Sequence, residues 1–193
     1  MSQPRIPAPA KLVTGVLMKD RSLLPAVARR LARAFGPPDI ISPWMNFDFT
    51  DYYEDEIGAP LFRRMLAFKR LTPRDALAEA KLASNAIEEA YARDKKRRVN
   101  IDPGHMTSGR FVLATGKDHA HRIYIGQGIF ADLTLLYQKG VFCKLPWTYP
   151  DYFQDNMLDF LKKARDKYKK DLADFENAAK KQETTMFRPE TEV

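Results

Sequence analysis

Residues Arg97 to Arg122 read RRVNIDPGHMTSGRFVLATGKDHAHR. This stretch decides the fold, because a helix-rich half gives way in it to a strand-rich one. Arg98 to Asp102 reads as a strand stopped by Pro103-Gly104, since proline has no N–H for a ladder and pre-sets a turn. From Arg110 onward the pattern is a meander over 110–115, 121–126, 129–137 and 141–145. Its turns are carried by Gly116, by Gly126-Gln127-Gly128 and by Gln138-Lys139-Gly140. The third of these strands alternates: Ile129, Ala131, Leu133, Leu135 and Tyr137 face one way, and Phe130, Asp132, Thr134 and Leu136 the other.

Upstream, Leu12 to Met18 (LVTGVLM) is short, apolar and β-branched, as a buried strand is. Ser22 is placed to cap a helix with Leu24, Val27, Ala28, Leu31 and Phe35 on one face, Pro25 in its first turn and Gly36-Pro37-Pro38 at its end. Residues 40–49 read as extended with a break at Pro43, and Leu61 to Leu71 as a strand. A second helix follows, with Thr72 as cap, Pro73 at its start and Leu77, Ala80, Ser84, Ile87 and Tyr91 on its inner face. Up to Asp102 the order is β-α-β-β-α-β, the ferredoxin-like pattern. The expected fold is therefore α+β: a ferredoxin-like half continued by an antiparallel meander.

A long helix over about 152–181 closes the chain, with a stripe of Met157, Leu161, Ala164, Tyr168, Leu172, Phe175 and Ala179. Its roughly 30 residues span about 45 Å, long enough to outrun the domain and offer a dimer contact. Residues 1–10 read as a flexible lead-in, 11–181 as one domain and 182–193 as a disordered tail.

The composition, 45% hydrophobic and 30% charged, is that of a globular protein. No apolar run approaches the roughly 20 residues of a membrane span, and the prolines of MSQPRIPAPAK oppose a signal peptide. Cys143 has no second cysteine to pair with, and its apolar flanks predict a buried thiol. A cytoplasmic setting follows from these features. The net charge of +7 and pI near 9.4 favour an anionic partner, RNA or a phosphorylated small molecule. The basic excess lies in Lys95-Lys96-Arg97-Arg98 and in Lys162 to Lys181.

All three histidines, His105, His119 and His121, lie within the opening stretch. Around the hairpin, position sums of 254 set Arg122 opposite Asp132 and Tyr124 opposite Phe130. Asp102, extended before a proline, is expected to emerge at the sheet rim beside Arg98 and Asn100. Asp102 and His121 are thus the candidate acid/base groups. Arg98, Asn100, Lys117 and Arg122 are the candidate ligand holders, Arg as a fork and Lys as a point charge. His119-Ala120-His121 has a metal-binding spacing but no third ligand fixed by sequence, so no metal site is assigned. His105-Met106-Thr107 has the H-x-T form of paired-motif phosphoesterases, but no second copy follows. No G-x-x-x-x-G-K-[ST] loop is present, and Gly126 and Gly128 lie between strands rather than before a helix. The acidic-aromatic stretch from Asp48 to Glu56 lacks the spacing of a calcium loop.

Taken together, FDFTDYYEDEIG, RRVNIDPG, KDHAHRIYIGQGIFADLTL and PWTYPDY resemble a bacterial family catalogued as a domain of unknown function. The resemblance implies that Asn100, Asp102, Pro103, Gly104, Lys117, His121, Arg122, Tyr124, Trp147, Tyr149 and Asp151 belong to a signature. It implies no reaction. Some members carry a GTP-binding label, which the motifs of this chain do not support. His105 stands where the family tends to have an aromatic, and Asp132 where it tends to have Glu. The leading expectation is a protein that binds a small anionic ligand and acts on it by acid/base chemistry. The alternative is an RNA-binding or protein-interaction adaptor using the 95–98 run and the basic helix, which requires the two to form one positive face.

Overall fold

The computed structural model describes residues 1–186, with side chains described through Lys181. β1 (Ala10–Met18) is buried along its whole length. Its neighbours explain why: β4 (Leu61–Thr72) pairs with one edge and β5 (Val99–Met106) with the other, both antiparallel. β2 (Pro38–Ile41) and β3 (Met45–Phe47), the two halves of the stretch broken at Pro43, pair with β4. The order β2-β4-β1-β5 is the ferredoxin-like arrangement that the element order calls for. β6 (Arg110–Thr115), β7 (Arg122–Gly126), β8 (Ile129–Gln138) and β9 (Val141–Lys144) complete a nine-stranded antiparallel sheet, though β6 does not follow the expected meander into β7: it pairs with β8, which carries β7 and β9 as its other partners. The fold is α+β.

Strand alternation divides the core. Leu12, Val16, Leu66, Phe68, Val99 and Ile101 pack on one face with Val27 and Leu31 of α1 (Leu24–Phe35) and, beyond the short α2 (Glu54–Ile57), with Ile87 of α3 (Leu77–Tyr91). Val13, Met65, Met106, Phe111 and Leu135 pack on the other with Met157, Leu161 and Ala164 of α4 (Asp155–Met186). The helix caps differ from expectation. A 3-10 turn precedes each of α1 and α3 and tightens the entry. Asp20, not Ser22, is the acceptor at the first, taking the Ser22 N–H at 3.0 Å. Thr72 stays in β4, where its hydroxyl donates to the Ala10 carbonyl.

β5 does not stop at Pro103-Gly104; it runs through to Met106. What stops there is its pairing with β6, which comprises Gly104↔Leu113, His105↔Val112 and Met106↔Phe111. The Ile101 N–H donates to Glu88 Oε1 at 2.6 Å and its carbonyl accepts from Lys81 Nζ at 2.8 Å. Both groups therefore point away from β1, and so does Pro103 two residues on. Having no N–H, Pro103 cannot continue that edge of the ladder. At Gly104 the strands are tightly apposed: an added Cβ would sit 2.7 Å from the Val112 carbonyl oxygen. Beyond it they part, and a cleft opens in the sheet.

In the β7–β8 hairpin Arg122 faces Asp132 and Tyr124 faces Phe130, the register the position sums require. Gly126 rather than Ile125 pairs with Ile129, across Gln127 and Gly128, whose positive φ values of 56° and 74° make a primed turn. Ile125 is displaced as a bulge, and His121 lies outside the strand, just before it. Cys143 is half-buried rather than buried.

α4 comprises 32 residues, about 48 Å. Its stripe is buried through Tyr168, but Phe175 is 53% exposed, so the far end outruns the sheet. Residues 182–186, expected in a disordered tail, continue this helix, and the rest of that expected tail lies outside the described residues. The lead-in is held from Ala8 onward: the Ala8 and Pro9 carbonyls accept from Arg74 Nε and the Tyr168 hydroxyl, and Ala10 already belongs to β1. No described helix is long and apolar enough to cross a membrane.

Candidate functional site

The parting of β5 and β6 opens into a cavity of about 570 Å³, within the range of small-molecule sites. Asn100, Asp102, Lys117 and Arg122, four of the sequence candidates, line it together. Arg98 and His121 do not. Arg98 turns outward and pairs with Asp20 at 3.2 Å. His121 stacks on Trp147, ring centroids 5.0 Å apart, with Nε2 3.4 Å from Asp132 Oδ2. It reaches the cavity only through Asp132, which is itself a lining residue.

Asp102 is placed by β5, where it lies opposite Gly15 of β1. Its carboxylate accepts from Asn100 Nδ2 at 2.7 Å, and Lys81 Nζ lies 3.4 Å away. Lys81 comes from α3, beneath the cleft. Together with Glu88 it satisfies the Ile101 backbone that β6 leaves unpaired, as buried peptide groups require. Glu88 also accepts from Arg97, which forms a two-bond fork on Glu56 at 2.7 Å and donates to Asn100 Oδ1 at 2.9 Å. Hydrogen bonding from Arg97 holds the Glu56 carboxyl below its usual range, whereas burial pushes Glu88 up against the pull of Lys81.

Arg122 is buried beside Asp132, with Nε 2.9 Å from Oδ2, and also donates to the Lys117 carbonyl and the Tyr149 hydroxyl. Its fork is therefore largely engaged by the protein itself. Lys117 differs. Its ammonium contacts the Tyr52 hydroxyl at 2.9 Å and lies 4.1 Å from that ring's centroid. Among the described residues it is the cavity-lining cation with no carboxylate partner.

The strap from Leu145 to Phe153 (LPWTYPDYF) carries Tyr149, Asp151 and Tyr152 to the cavity. It is pinned where Trp147 Nε1 donates to the Leu133 carbonyl and the Thr148 hydroxyl to that of Thr134. Asp151 forms a buried ion pair with Arg63, whose guanidinium lies between the rings of Phe47 and Tyr152. Burial raises the Tyr53 and Tyr152 hydroxyls, the latter to about 12, so both remain donors at neutral pH.

Several of these groups were missed in the sequence. Arg63 shares the phase of Leu61 and Met65 along β4, a sign of inward orientation. Lys81 and Glu88, seven apart in α3, flank the inward Ser84 and Ile87. Asp151 has no such periodic signal and is singled out only by the family resemblance. No curated protein and no solved structure matches the chain. The family model for DUF4416, a domain of unknown function, matches residues 8–168, from the held lead-in to Tyr168 of α4. This chain therefore belongs to that family.

Proposed function

We propose that the cleft between β5 and β6 binds a small anionic, phosphorylated ligand. The observation that carries this is Lys117, a cation at the cavity that no carboxylate among the described residues neutralises, supported from behind by the guanidinium of Arg122. A point charge next to tyrosine hydroxyls suits phosphate oxygens. If the ligand undergoes proton transfer, Asp102 is the acid/base group that faces it, and His121 acts through Asp132.

The RNA or adaptor alternative needed one continuous positive face. Arg98 stands next to Val99 at one end of β5, whereas Asp171 of the basic helix binds Lys11, which pairs with Met106 at the other end. Arg97 and Arg98 are also engaged by Glu56 and Asp20. The small-ligand reading is therefore the better supported.

A thermal-shift and calorimetry panel of sugar phosphates, nucleoside monophosphates, inorganic phosphate and short RNAs tests the choice. A ligand at a hundred times its Kd stabilises the fold by about 2.7 kcal/mol. Lys117→Ala is expected to weaken phosphate-ester binding about tenfold, the loss of one charge-assisted contact. Equal binding by wild type and Lys117→Ala, or a shift with RNA alone, would overturn the reading.

A further inference from the structure

The cavity lining has two electrical ends. At one end Lys81, Arg97 and Asp102 line the cavity, and both cations are already engaged, Arg97 by Glu56 and Glu88 and Lys81 by Glu88 and Asp102, the two glutamates lying behind the lining. Glu88 behaves as a carboxylate in this chain, since one oxygen accepts from the Ile101 N–H and the other from Arg97. Asp102 is the carboxylate of this end that meets the cavity, its side chain 25% exposed. At the β6–β7 loop Arg122 pairs with Asp132, whereas Lys117 has no carboxylate partner among the described residues, Asp118 beside it being exposed and outside the lining. Arg63 and Asp151 form a balanced pair.

The Asp102 end discriminates among ligand groups. An ionised carboxylate has about four lone-pair sites and no donor, and only Asn100 and Lys81 address this one. Asn100 cannot be recruited elsewhere, because its own oxygen accepts from Arg97. A phosphate at this end would meet a like charge, whereas a hydroxyl would find an acceptor already fixed in place. Tyr53, half-buried, lines the same cavity, and an aromatic face suits the C–H surface of a sugar ring.

We propose that the ligand is a phosphorylated polyol bound head to tail, its phosphate at Lys117 and its hydroxyls at Asp102. This assignment rests on the anion-binding reading above and adds a specificity that the reading alone does not require. Asp102 is its specificity-determining residue.

Calorimetric titration of the full chain with ribose 5-phosphate, propyl phosphate, phosphoethanolamine and inorganic phosphate tests it. Ribose 5-phosphate is expected to bind at least about tenfold more tightly than propyl phosphate, the worth of a hydrogen bond to a charged acceptor. Asp102→Asn, nearly the same shape, is expected to erase that preference. Equal wild-type affinities for the two esters would overturn the proposal, and so would a preference that survives in Asp102→Asn. Tighter binding of phosphoethanolamine than of ribose 5-phosphate would overturn it in favour of an ammonium end. If no phosphate compound binds, the anion-binding reading itself falls. The wild-type comparison decides the matter even if the variant does not fold.

Discussion

His105 shows how burial alters one residue's chemistry without making it catalytic. It is 4% exposed on β5, with Nε2 3.2 Å from Thr72 Oγ1. Burial, reinforced by Arg74, pushes its pKa from 6.5 down to about 4. Between these values the unfolded chain binds a proton that the folded chain refuses. Stability from this group is therefore fully present above pH 6.5 and declines as pH falls through the window towards 4. The expected loss is roughly 3 kcal/mol. His105→Phe, which keeps an aromatic ring of similar size without a titratable nitrogen, is expected to flatten the slope. Urea unfolding of both proteins between pH 4.5 and 7.5 checks this, and identical slopes would show that His105 is not the source. The same scale shows what was legible early. Arg122 opposite Asp132 follows from alternation and a turn, but their burial, 9% and 3% exposed, does not.

At the scale of elements, the cleft depends on α3 doing for β5 what a neighbouring strand ordinarily does. Glu88 and Lys81 cap the two backbone groups of Ile101, and Glu88 also holds Arg97. Glu88→Ala leaves a buried N–H unpaired and two cations under-compensated, a loss expected to cost about 3–5 kcal/mol. Glu88→Gln keeps an acceptor for the N–H and is expected to cost less. Denaturant midpoints for the two variants check the order; equal costs would mean that charge alone matters. Pro103 interrupts a ladder, which from sequence alone reads as the end of the strand. The proline interrupts one edge only, because β1 continues to pair with the other.

For the whole molecule, the decisive tie joins the first strand to the last helix. Lys11 is fully buried and donates to Asp39, to Asp171 of α4 and to the Phe68 carbonyl at 2.8–2.9 Å. Lys11→Met leaves two mostly buried carboxylates with Lys167 as their remaining described cation and is expected to destabilise the fold by roughly 3 kcal/mol. Deletion from Ala173 onward, by contrast, removes described side chains that are exposed, and stability is expected to stay within about 0.5 kcal/mol. Thermal melts of both check this. A large loss on truncation would mean that the overhanging end of α4 packs against something. A mass measurement on the same samples shows whether that something is a second copy, the dimer role expected of this helix.

Local rules determined much of this protein from sequence alone. Alternation set which strand residues face the core, prolines and glycines set the breaks, and the order of elements implied the ferredoxin-like half. These are short-range consequences of backbone geometry, so they are legible in one dimension. The candidate site was legible only in part. Asn100, Asp102 and Lys117 stand out as polar residues at strand ends, but Lys81, Arg63 and Asp151 become part of the cavity only through packing, with Arg63 and Asp151 88 residues apart. Which side chains satisfy a backbone edge that its partner strand abandons depends on the helix lying beneath it. Tertiary structure alone decided that, because a buried backbone group left by its partner strand is costly unless another element of the fold supplies a partner.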